Sequence, residues 1–353
     1  MPKQNFFVNE DELDDFQIQL LQKRINSSMV VSGCAGSGKS ILALWKAKQV
    51  QDLQDGTCYK FIVFTKALNR YMADGIRAIG LNDDNFMYHY QWKKAGCPSA
   101  DYIIVDEVQD FDKQEIEEFK RSAKQAFFFW GDTAQSIYQG IKETQSILQI
   151  AADSGIQPEK LAFNHRLPKK IARFAAHLGN DEELVSRCRK EGAELPRILQ
   201  YPSLEQQLDA AMEQIQNRQI TDAGILFPRN DMVQKAYNYL RSKGFSIEAK
   251  FDDKQDFRNS RLELDFDNDT PKLMTYHSSK GLQFEAVFLP ECTVDNIDNL
   301  HKDADRIRTP LYVAITRSYQ YLFIMYSNIL SFFFDAIPKD IYLTTLEEEK
   351  IEL

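Results

Sequence analysis

The sequence predicts an α/β protein built from two tandem parallel-sheet domains, and three observations carry that prediction. The first is length. At 353 residues the chain exceeds the usual size of a single hydrophobic core, so two domains are the natural expectation. The second is a recurrence of short, near-continuous apolar runs, each followed by a polar stretch of helical length, which is the pattern of parallel strands covered on both faces. The third is that these runs fall into two sets of four, separated near Ser154–Lys160, where Gly155 and Pro158 punctuate the chain. The expected division is 1–157 and 158–353.

In the first set the strands are Met29–Ser32, Lys60–Thr65, Tyr102–Val105 and Ala126–Trp130. In the second they are Gly224–Phe227, Leu273–Tyr276, Ala286–Leu289 and Tyr321–Tyr326. Ile41–Gln49 and Met232–Lys243 have the length and pattern of helices. The polar, acidic Asp252–Asp269 suits a loop or small hairpin, and Glu347–Leu353 suits an acidic tail.

Composition narrows the class. Apolar residues make up 43% and charged residues 27%, as in folded proteins rather than disordered ones. The net charge of −9 argues against coating nucleic acid by bulk electrostatics but leaves room for a local basic groove. Five scattered cysteines (Cys34, Cys58, Cys97, Cys188, Cys292) form no C-x-x-C pair, and read as reduced thiols rather than a zinc site or disulfides. Neither a secretory leader nor an apolar run of membrane-spanning length is present, so the expectation is a cytoplasmic protein with no membrane partner.

Chemistry enters at the end of the first strand. Gly33-Cys34-Ala35-Gly36-Ser37-Gly38-Lys39-Ser40 fits the phosphate-loop pattern in its required context, strand before and helix after. Gly33, Gly36 and Gly38 let the main chain curl, so that the N–H groups of the loop, including those of Ala35 and Ser37, face phosphate oxygens at a helix N-terminus. Lys39 is placed to reach the β- and γ-phosphates of ATP, and the Ser40 hydroxyl to hold Mg²⁺. Tyr102–Val105 then runs into Asp106-Glu107-Val108-Gln109-Asp110. Carboxylates at the C-terminal end of a parallel strand lie where open α/β sheets bind ligands. There Asp106 would hold Mg²⁺ through water and Glu107 would polarise the attacking water. The strand Phe127–Trp130 also leads into a polar loop, Gly131-Asp132-Thr133-Ala134-Gln135-Ser136-Ile137-Tyr138, where Gln135 could sense the γ-phosphate.

The acidic motif followed by G-D-x-x-Q-S-I-Y resembles motifs II and III of superfamily 1 helicases of the UvrD/Rep type, and other motifs follow suit. Gln17 is similar to the adenine-reading glutamine upstream of the phosphate loop, and Phe64-Thr65 with Arg70 and Met72 resembles motif Ia. Asn164-His165-Arg166 resembles motif IV, Thr275–Phe284 motif V, and Leu311–Arg317 motif VI. The resemblance spans Leu13 to Ile324. It implies two RecA-like domains with ATP between them, His165 stacking on the base where relatives have Tyr, and Gln283 contacting the ribose where relatives have Glu. It further implies that Arg166 and Arg317 neutralise the transition state.

By the same resemblance the track is single-stranded DNA travelled 3′–5′, with RNA an open alternative. The contacts would be Phe64, Thr65, His89, Trp92, Tyr138, Thr275 and His277. Met87–Trp92 with Lys93-Lys94 is similar to motif Ib. Gly140 stands where many relatives carry a base-stacking aromatic. The stretches Met72–Asp101 and Arg166–Thr275 leave no room for the large accessory domains of relatives. These departures also admit a second reading, an ATP-binding switch subunit that gates a protein partner such as a nuclease or a phage-defence component.

Overall fold

The computed structural model describes residues 8–34, 36–53, 58–64, 68, 72–132, 144–179, 183–253, 260–261, 263–298 and 305–346. It contains two units, one ending at His165 and the other beginning at Arg166.

The first unit is organised on six strands: β1 (Met29–Gly33), β2 (Tyr59–Val63), β3 (Phe86–Tyr88), β4 (Ala100–Val105), β5 (Ala123–Gly131) and β6 (Glu159–Leu161). They form one sheet in the order β3-β2-β4-β5-β1-β6, every pair parallel. Alternate residues serve the two faces. Val31, Phe61, Val63, Tyr102, Ile104, Phe128 and Trp130 belong to one buried cluster. Val30, Ile62, Ile103, Val105 and Phe129 belong to the other, with Phe111, Phe119 and Ile147. Both faces are apolar because both are covered, which is why these strands read as continuous hydrophobic runs.

The second unit repeats the plan with β7 (Arg197–Gln200), β8 (Ala223–Phe227), β9 (Glu248–Ala249), β10 (Lys272–Thr275), β11 (Phe284–Leu289) and β12 (Ser318–Tyr326). Their order is β7-β12-β11-β8-β10-β9, again all parallel. The expected α/β class with two parallel sheets is therefore what the chain adopts. Phe251 and Arg261 exchange two main-chain hydrogen bonds across an antiparallel bridge, Phe251 just before and Arg261 inside the stretch Asp252–Asp269 expected to be a loop or small hairpin.

The division near 157/158 shifts to 165/166. Glu159–Leu161, polar enough to pass for linker, pairs with Val31–Gly33 as the edge strand of the first sheet. Among the described residues no helix is long and apolar enough to cross a membrane.

Candidate active site

Two helices frame the phosphate loop. Helix α1 (Asp15–Leu21) opens with a capping box: Asp14 Oδ1 accepts from Gln17 N at 2.8 Å and Gln17 Oε1 accepts from Asp14 N at 2.9 Å. The remaining donor of Gln17, Nε2, reaches Ser37 O of the loop at 3.0 Å. Helix α2 (Lys39–Gln51) starts directly from the loop, with Gly38 as its cap at φ 85°. Glycine is required there twice over, because a side chain would be strained at that φ and its Cβ would meet Gln17 Nε2 at 2.6 Å.

Lys46, fully buried on α2, ties the two helices together by donating to Leu21 O at 3.2 Å and Lys23 O at 2.8 Å. Burial pulls its pKa down to about 8. The unfolded chain therefore binds more protons than the native state between about 8 and the ordinary lysine value, so this contribution to stability grows as pH rises through that window. The urea midpoint of the wild type is expected to rise from pH 8 to pH 10 by more than that of Lys46→Met, and equal rises would contradict the buried-ammonium account.

At the loop itself, Lys39 is buried and donates from Nζ to Gly33 O at 2.8 Å and Cys34 O at 3.0 Å. Ser40 donates from Oγ to Asp106 Oδ2 at 2.6 Å, bringing together the two oxygens assigned to Mg²⁺. Asp106 is fully buried at the end of β4, and its other oxygen accepts from Glu107 N at 2.9 Å. Burial, then the neighbouring Glu107, pushes its pKa up to about 6, against the opposing pull of Ser40, Lys39 and the Glu107 amide. A hydroxyl beside a buried carboxylate fits Mg²⁺, which is usually held by one or two protein oxygens, with phosphates and waters completing its shell.

Glu107 follows with φ 55° and ψ 41°, a left-handed conformation uncommon for a non-glycine residue. It is nearly buried, and its Oε2 accepts from Gln109 Nε2.

His165 closes the first unit against the same loop. Its main-chain N donates to Gly36 O at 3.0 Å, and its Nε2 lies 2.8 Å from Asp14 Oδ2. Phe16, half-exposed on α1, meets Phe163 edge-on with ring centroids 5.6 Å apart. Gln17, Gly36, Ser37, Gly38 and His165, assigned from the sequence to the nucleotide, therefore lie together at the loop. Asp14 and Phe16 belong to the same cluster and were missed, although the capping spacing Asp14-x-x-Gln17 was a usable signal for the first. Ala35 and Gln135 lie outside the described residues.

Of the residues assigned from motifs IV to VI, Asn164 and His165 close the first unit, and those from Arg166 onward belong to the second. Arg166 is half-buried, and Gln283 is half-buried just before β11. Arg317 is buried, donating from Nε to Val313 O at 2.9 Å, from Nη1 to Leu282 O at 3.4 Å and from Nη2 to Thr316 Oγ1 at 3.1 Å. Its guanidinium thus links the segment before β11 to the one before β12.

The residues assigned to nucleic acid fare differently. Trp92 is fully buried with its indole N–H on Pro98 O at 3.3 Å. His89 packs among Trp92, Phe111 and Phe119, with Nε2 3.5 Å from Glu115 Oε1. Both therefore build the core rather than a surface platform. The reason is local: Tyr88 is followed by the helix His89–Lys94, and residues three apart share a helix face. The aromatic left outside is Tyr90, 67% exposed and stacked on Tyr88 at 6.4 Å and 17°. Phe64 is half-buried against Phe111 at 5.2 Å. Thr275 is buried, its hydroxyl donating to Ser278 Oγ at 3.1 Å and accepting from Ser278 N at 3.2 Å, and His277 is half-buried beside it. Thr65 and Tyr138, with Arg70 and Gly140, lie outside the described residues.

A phosphate loop between a parallel strand and a helix, with its Ser40 on a buried Asp-Glu pair that follows β4, separated from β1 in the sheet by β5, defines a P-loop nucleotide-binding protein. The chain belongs to the UvrD-like helicase family: the model of the UvrD-like helicase C-terminal domain matches residues 105–329, and that of an AAA domain matches residues 12–193. It is similar to a Mycoplasma pneumoniae protein named "Probable DNA helicase", at 27% identity over 73% of this chain and 49% of that protein. A second protein of that organism, named "Probable DNA helicase II homolog", is 37% identical over 24% of this chain and 12% of its own length. The chain thus spans about half the length of the first of these relatives and less of the second. Among solved structures, the C-terminal domain of a possible DNA helicase from Lactobacillus plantarum overlaps 51% of this chain and 98% of its own, at 19% identity and a TM-score of 0.39.

Proposed function

We propose that this chain hydrolyses ATP to drive movement along single-stranded DNA in the 3′–5′ direction. The observation that carries the ATPase part is the Ser40–Asp106 contact at 2.6 Å, with Lys39 on the loop and Glu107 next in the chain. Lys39 and the loop amides bind the phosphates, and Ser40 and Asp106 hold Mg²⁺, which when bound neutralises phosphate charge. Glu107 accepts the proton of the attacking water. Gln17 and His165 take the base, and Arg166 and Arg317 supply guanidinium charge for the γ-phosphate as it leaves. The direction and the DNA track rest on the family motifs and on the names of the relatives.

The testing experiment is steady-state ATPase activity with and without single-stranded DNA or RNA, alongside a forked duplex. Stimulation by DNA supports the motor. Robust turnover indifferent to either strand would sink the translocase reading and point instead to a protein partner. Tyr90 replaces Trp92 as the exposed aromatic of this region. Since base stacking is worth about 1–3 kcal/mol, Tyr90→Ala is expected to weaken single-strand affinity by roughly 5- to 150-fold without lowering the melting temperature. Unchanged affinity in a fluorescence-anisotropy titration would remove Tyr90 from the track.

A further inference from the structure

Gln109 sits two residues past Glu107, fully buried, and makes two bonds whose directions determine each other. Its Oε1 accepts from the main-chain N of Asp132 at 3.0 Å, and its Nε2 donates to Glu107 Oε2. A main-chain N–H only donates, so the carboxamide oxygen must face Asp132 and the amide must face Glu107; no flipped arrangement satisfies both. The space for this bridge is made by Gly131 at the end of β5. A Cβ there would lie 2.3 Å from Gln109 Oε1 and 2.5 Å from Ile147 Cδ1. Glu107 itself holds a left-handed backbone, which persists only where the surroundings fix it.

We infer that Gln109 is a positioning residue: it orients the Glu107 carboxylate toward the attacking water, using the main chain at Asp132 as its fixed point. This rests on the ATPase reading above and deepens it, because the base is then aimed from β5 as well as from its own strand β4.

Two substitutions separate aiming from mere packing. Gln109→Glu keeps an acceptor for the Asp132 N–H but has nothing to donate to Glu107; Gln109→Leu loses both bonds. kcat and KM for ATP are measured with single-stranded DNA present, together with the melting temperature. Misaimed catalytic groups cost up to about 10²-fold, so both variants are expected to lose roughly 10- to 100-fold in kcat with KM within about twofold of wild type. Gly131→Ala, which displaces Gln109 from outside the nucleotide site, is expected to lower kcat in the same way. Should Gln109→Glu not fold, Gly131→Ala with wild-type kcat overturns the proposal on its own. In a Glu107→Gln background, Gln109→Glu is expected to add no further loss. Wild-type kcat in Gln109→Glu, or losses that multiply in the double variant, overturns the inference alone. A wild type lacking any turnover that Lys39→Ala removes overturns the ATPase reading and this inference with it.

Discussion

Replacing Lys39 with alanine is expected to remove ATP turnover while leaving the fold in place. The ammonium is buried and held at the loop by Gly33 O and Cys34 O, so its charge is fixed where phosphate charge develops. Removing one such preorganised donor typically costs about 10²–10³-fold in kcat, and here a full positive charge goes with it. The fold is expected to survive because α2 is anchored elsewhere, through Lys46 to Leu21 and Lys23 and through its buried Ile41, Leu42 and Leu44. Steady-state ATPase and the far-UV melting curve test both halves. Retained turnover would remove the phosphate-loop assignment.

Glu107→Gln is expected to bind ATP and turn it over slowly. An amide oxygen at that position still accepts from Gln109, so the geometry is kept while the proton acceptor is lost, at a cost of about 10²–10⁴-fold in kcat. The substitution also removes the like charge that helps push Asp106 up, so Asp106 ionises at lower pH and affinity for Mg²⁺–ATP holds or tightens. A nucleotide titration and a single-turnover measurement separate the two effects. Full activity would mean that another group is the base.

The eight strands legible in the sequence are the inner strands of the two sheets. The four it did not show, β3, β6, β7 and β9, are their edges. An inner strand of a parallel sheet is buried on both faces and must be apolar throughout, whereas an edge strand of two to four residues carries no such signature. The same physics divides the site. Gly33–Ser40 and Asp106-Glu107 were legible because their chemistry depends on contiguous residues at strand ends. His89 and Trp92 were misplaced because exposure is decided by which helix face meets Phe111 and Phe119, and their spacing of three was the unused hint. Gln109 was visible as a letter of the acidic motif, but its partner at Asp132 is a main-chain amide of a separate strand. No side-chain pattern could have pointed there.

The position of β1 between β5 and β6 fixes an order of assembly. The strand that carries the phosphate loop leaves the ribosome before any other of its sheet, yet both of its neighbours belong to the far end of the unit. At roughly 5–20 residues per second, β1 waits on the order of ten seconds for a hydrogen-bonded neighbour. Until Ala123–Gly131 emerges, the nascent chain carries an apolar Met29–Val31 with no sheet to enter. The loop that binds nucleotide is thus synthesised early and becomes competent late, so the growing chain depends on whatever shields that strand in the interval.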